Sequence, residues 1–209
     1  MKIEGEYLFN GPREEVWKIV HDPEVLAKAL PGTKSLEQVG ENEYKGEMNV
    51  KVGPVAGLFA GRLVISNAIP PSSLTMIVDG RGNPGFLTGS GNVLLNDQGD
   101  GTTLMKYAGD VNIGGKLASV GQRLMDSASK SMIRQGMEAL DMALQARVKA
   151  EAEGKSVEYT PPSESQFAAA VAKDMAGKLL SSRTFWIIVA IIVILVIVIA
   201  IWISKANGN

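Results

Sequence analysis

The chain contains no cysteine and a single histidine. Without thiols there is no disulfide framework, no Cys-ligated zinc and no thiol nucleophile. A Ser-His-Asp hydrolase would have to be built on His21 alone. Its neighbour Asp22 does not face it, because adjacent residues diverge, and Asp22-Pro23 is a helix-start signal. Glu14-Glu15 reads the same way: acids in a first helical turn complement the dipole and point apart. No group of carboxylates and imidazoles has metal-ligand spacing. An excess of one charge is missing too. The 21 Lys+Arg and 22 Asp+Glu leave a net −1, which excludes binding to nucleic acid by bulk charge.

One long hydrophobic run is present. Residues 185–203 read FWIIVAIIVILVIVIAIWI with no charged or polar side chain. As a helix at ~1.5 Å per residue this is close to one hydrocarbon core, and it lacks the polar face of a soluble helix. Trp186 and Trp202 stand at its two ends, as interfacial aromatics do. The reading is a single transmembrane helix. Lys173, Lys178 and Arg183 precede it and Lys205 follows, so the positive-inside rule puts the large N-terminal part in the cytoplasm. The N-terminus is too charged for a signal peptide. The expected localisation is the cell inner membrane, single-pass and C-terminally anchored.

Upstream, Met1–Asn10 alternates as a half-buried strand with Ile3, Gly5, Tyr7 and Phe9 on one face. Two short helices follow, about Arg13–Val20 and Asp22–Leu30, stopped by Pro31-Gly32. Six strands are predicted next: Thr33–Val39, Glu43–Val52, Leu58–Ala68, Ser73–Asp79, Phe86–Leu95 and Thr102–Ile113. Short turns between them indicate an antiparallel meander. Apolar residues at helical spacing then predict one amphipathic helix over about Lys116–Ala152. The fold class is α+β, a curved antiparallel sheet with a long C-terminal helix across it. The expected organisation is a domain over 1–152, a linker and juxtamembrane amphipathic segment over 153–184, and the transmembrane helix over 185–203.

The glycine-rich run Gly80–Gly91 lacks the lysine and Ser/Thr of a phosphate-binding loop and does not lead into a helix. It suits turns and a bent strand. The faces assigned inward carry Tyr44, Met48, Phe59, Leu63, Phe86, Tyr107 and Val111. The long helix adds Met125, Ala128, Met132, Gly136 and Met137. A methionine stripe also describes an ordinary core. Small residues alternating with adaptable ones beneath a Gly-rich sheet would instead leave a cavity, and its ligand would be apolar.

The segments PREEVW (12–17), DPEVLAKALPG (22–32), KVGPVAGLFAGRL (51–63), GFLTGSGNVLL (85–95) and GGKLA (114–118) carry a resemblance. The soluble part resembles the START-like (SRPBCC, helix-grip) superfamily. Within it, the chain is similar to the CoxG-like family, named for the G subunit of carbon monoxide dehydrogenase. The resemblance covers about residues 1–150. It implies a cavity for hydrophobic ligands, no catalytic residues, and an accessory role beside a molybdenum-containing CO dehydrogenase or related molybdenum hydroxylase. The twelve inward residues above are then the candidate ligand-binding set. The expected ligand is an apolar small molecule or lipid, with an isoprenoid quinone as candidate, and the expected partners are the membrane and the hydroxylase. The alternative is a purely structural anchor or assembly factor with a closed core. An enzyme is disfavoured, because the inward set is apolar apart from the Tyr44 and Tyr107 hydroxyls.

Overall fold

A computed structural model describes residues 1–30 and 32–153. The apolar run 185–203 and the segment 154–184 lie outside the described residues. Among the described residues, no helix is long and apolar enough to cross a membrane.

The elements are β1 (Lys2–Phe9), α1 (Arg13–Ile19), α2 (Pro23–Ala29), β2 (Thr33–Gly40), β3 (Glu43–Val52), β4 (Val55–Ile69), β5 (Ser73–Gly82), β6 (Gly85–Asp97), β7 (Thr103–Gly114) and α3 (Gln122–Glu153). Asp22 caps α2: its carboxylate accepts from the Glu24 and Val25 amides, with Pro23 in the first turn. The seven strands form one antiparallel sheet in the order β1-β7-β6-β5-β4-β3-β2. The first strand pairs with the last and forms one edge of the sheet, with β2 at the other.

The strand ends and the long helix differ from the sequence reading. Strands β4, β5 and β6 are longer, because Gly53-Pro54 and Asn83-Pro84 suffice as turns. The single helix expected from Lys116 is two pieces. Residues Gly115–Val120 form a 3-10 turn, and Gly121, at φ 88°, separates it from α3. The Leu117 amide bonds the Pro84 carbonyl at 2.9 Å, a partner outside any helix, so continuous α-helix is broken there.

The larger core joins Phe9, Val16, Ile19, Leu74, Leu95, Met105, Leu140 and Leu144 between the sheet, α1 and α3. Asp141 on α3, 6% exposed, accepts from the Asn10 amide at 2.9 Å, the Asn10 side chain at 2.8 Å and Gln145 at 3.0 Å. This satisfied carboxylate pins the β1–α1 turn to the helix. A smaller cluster of Val52, Phe59, Leu117, Met125 and Ala128 lies at the other end of the sheet.

Candidate functional site

Antiparallel pairing puts directly opposed residues on one face. The register therefore sets Gly46 of β3, Gly61 of β4 and Gly80 of β5 in one row across three strands. Tyr44, Leu63 and Val78 form the next row on the same face, and Met48 opposes Phe59. Side chains are absent where the glycines sit. A Cβ at Gly80 would meet nothing nearer than the Leu87 carbonyl at 3.9 Å. One at Gly61 would approach the Asp79 carbonyl at 3.3 Å, and one at Gly46 would run into the Ser35 carbonyl. Gly46 thus admits the close approach of β2, while Gly80 leaves space.

Above this row lies a cavity of about 340 Å³. Its walls include Leu36, Met48, Val50, Leu63, Met76 and Val78 from the sheet, Leu30 from the end of α2, and Leu117 from the 3-10 turn. Glu47, Arg62 and Asp79 also border it. By strand alternation their side chains lie on the opposite face, where Arg62 holds Glu43 at 2.6 and 2.8 Å and lowers its pKa. Two hydroxyl protons at the cavity are engaged: Tyr44 donates to the His21 carbonyl at 3.0 Å and Thr33 to the Leu30 carbonyl at 2.6 Å. Burial pushes the Tyr44 pKa up, with Asp22 adding to the effect, so this phenol stays protonated at neutral pH. The cavity is a shape for an apolar body, with no charge to meet it. His21 is not a catalytic base facing this space. Its Nδ1 bonds the Trp17 carbonyl at 2.8 Å and its ring packs on Trp17. Among the described residues no cluster of three or more His, Asp or Glu could hold a metal.

One family model, that of the carbon monoxide dehydrogenase G subunit (CoxG), matches residues 5–145. The chain belongs to the CoxG family. No curated protein matches it significantly. Among solved structures, a conserved protein from Geobacillus kaustophilus is similar at 29% identity and TM-score 0.67, over 72% of this chain and 97% of that one. A START superfamily protein from Mycobacterium smegmatis matches at 13% identity and TM-score 0.55, over 69% and 97% of the two chains. The Zhui aromatase/cyclase from a Streptomyces species matches at 13% identity and TM-score 0.57, over 75% and 99%. At these identities the last two show the START-like fold alone.

Of the twelve candidates, this CoxG-family domain brings Tyr44, Met48, Phe59 and Leu63 together in the cavity. Phe86 is corrected: it pairs with Arg81 and Gly114 on the outer face and is 40% exposed, its ring lying over Gly114. Leu87 takes the inward place. Tyr107 faces inward but packs over Gly5 and the larger core, and burial raises its pKa. Val111 lies on the inner face opposite Gly89, outside the cavity lining. The helix residues also do not line it. Met125 and Ala128 pack with Phe59 and Leu117, Met137 packs on the larger core, and half-buried Met132 belongs to neither cluster. Gly136 faces Ala29 and Leu30 of α2. The helix-side wall comes from Leu117, because the break at Gly121 folds the 3-10 turn inward. Sequence reasoning missed Leu30, Leu36, Met76, Val78, Leu117 and the glycine row. Glycines recurring at even spacing in 57–61, 80–82 and 85–91 were the available signal for the row.

Proposed function

We propose that this protein is a membrane-tethered accessory protein of a molybdenum-containing CO dehydrogenase, or of a related molybdenum hydroxylase. It binds an apolar ligand, an isoprenoid quinone, in the helix-grip cavity and recruits the enzyme to the membrane. The apolar run 185–203 is the tether, with the domain on the cytoplasmic side. The observation that carries the reading is the glycine-floored cavity. Its ~340 Å³ falls within the range of ligand sites, and an unfilled apolar space is costly unless something occupies it. A cytoplasmic oxidoreductase must pass electrons to a membrane pool, and a cavity that holds the acceptor away from water brings that acceptor to the enzyme. The chain supplies binding and orientation and no catalytic group of its own. With the Tyr44 and Thr33 protons engaged, the ligand is held by shape and dispersion.

Organic extraction of the detergent-purified full chain, read by mass spectrometry, tests this. Quinone is expected in the extract of the natural protein. The Gly80→Leu variant, which fills the cavity, is expected to lose the quinone while keeping its thermal stability. A strong fall in stability with Gly80→Leu, together with a quinone-free natural protein, would leave the structural anchor as the reading.

A further inference from the structure

The turns at the two ends of the sheet differ in charge. At one end lie the β3–β4 turn, the β5–β6 turn and the segment from β7 to α3. They touch one another. The Leu117 amide bonds the Pro84 carbonyl at 2.9 Å, Gly57 abuts the Pro84 ring, and a Cβ at Gly53 would stand 2.8 Å from the Leu124 side chain. Residues 51–56, 81–86 and 111–123 contain Lys51, Arg81, Lys116 and Arg123, all exposed, and no acid. Arg81 also pairs with Asp79 at 3.3 Å, with both side chains largely in solvent. Exposed Leu58 and Phe86 sit beside these cations. The turns at the far end, 40–43 and 97–102, carry Glu41, Glu43, Asp97 and Asp100 and no Lys or Arg; Glu43 is held by Arg62, and Arg13 follows the neighbouring turn, whose Gly11 carbonyl accepts from Thr103. Ile69, the most exposed large apolar residue there, lies at the acidic end.

We infer that the basic end is a docking surface for an anionic lipid bilayer, with Lys51, Arg81, Lys116 and Arg123 on headgroup phosphates and Leu58 and Phe86 at the acyl boundary. Cations interleaved with exposed apolar side chains fit that interface, where both attractions act together. The far turns, with Glu41, Asp97 and Asp100 and no Lys or Arg, lack that attraction, which favours the orientation. The docking end also owns a cavity wall. Leu117 is 3% exposed and lines the cavity, and it belongs to the turn between Gly115 and Gly121, both at positive φ. Contact at this end therefore puts one wall of the cavity next to the lipid. The inference rests on the proposed ligand reading for its purpose and on the charge distribution for its existence.

The absence of cysteine allows a clean test. The full chain is reconstituted into vesicles with an environment-sensitive fluorophore on Ala118→Cys at the basic end or on Gln98→Cys at the acidic end. The tether is present in every sample. With phosphatidylglycerol in the phosphatidylcholine bilayer, the Ala118 probe is expected to shift blue and be quenched by nitroxide lipid, and the Gln98 probe is not. The response should vanish in pure phosphatidylcholine, at ~1 M salt where screening falls to ~3 Å, and when Lys51, Arg81, Lys116 and Arg123 are changed to Gln. Should that fourfold variant fail to fold, Lys51→Gln/Lys116→Gln serves, with a response at least halved. Equal responses at the two probe sites, or one indifferent to phosphatidylglycerol, would overturn the docking surface. Quinone extracted from the same samples separates the two ideas: a silent Ala118 probe with quinone present removes only the docking surface.

Discussion

Leu74 and Val78 stand on the same face of β5, yet their surroundings differ sharply. Leu74 is 3% exposed and opposes Val93 inside the larger core. Val78 is half-buried and opposes Leu63 and Gly89 in the wall of the cavity. The closed half is filled by Phe9, Met105, Leu95 and Leu144. The open half is floored by glycine. One strand therefore serves as core and as binding wall, and the change comes from what its neighbours lack. Stability and ligand capacity are separable along a single strand.

The largest expected effect is Leu74→Ala, at about 2–5 kcal/mol of lost stability by the usual cost of a core truncation, checked by denaturant unfolding. Asp141→Ala should follow at about 1.5–3 kcal/mol, because Asn10 and Gln145 lose a charged acceptor. The same unfolding series measures it, and a change below ~0.5 kcal/mol would show the pin between β1 and α3 to be idle. Val78→Ala should cost no more than about 1 kcal/mol, mostly strand propensity. A loss equal to that of Leu74→Ala would erase the contrast between the halves.

The smallest effect is one of pH. Tyr7 and Tyr107 in the closed half and Tyr44 in the cavity all have raised pKa values, chiefly from burial. The folded state holds these protons more tightly than the unfolded chain does. Their contribution to stability is full below the ordinary tyrosine pKa of 10.0 and is lost as pH rises through the folded values. Melting temperatures should decline past that point, and Tyr107→Phe should flatten part of the decline.

The element order and the α+β class were legible in the sequence, because alternation in Met1–Asn10 and Glu43–Val52 and the spacing of α3 are strong periodic signals. Half of the site was not. In β6, glycine holds the inward places at 85, 89 and 91, so alternation of apolar residues is silent, and starting the count at Phe86 reversed the face. The helix-side wall was misplaced because a helical period runs smoothly across Gly121, while the backbone does not. Leu30 was read as a helix end, although that end is what brings it to the cavity.

The pairing of β1 with β7 has a consequence in time. Lys2 faces Asp110 and Phe9 faces Thr103. On a ribosome adding ~5–20 residues each second, the first strand waits several seconds for its partner. Asp141, which secures the turn after β1, emerges later still. Until then Tyr7 and Phe9 are apolar side chains without their final cover, and a chaperone that shields the nascent N-terminus has its longest opportunity on this stretch. High contact order makes this domain a late finisher: its first strand is held open until β7, about a hundred residues later, has been made.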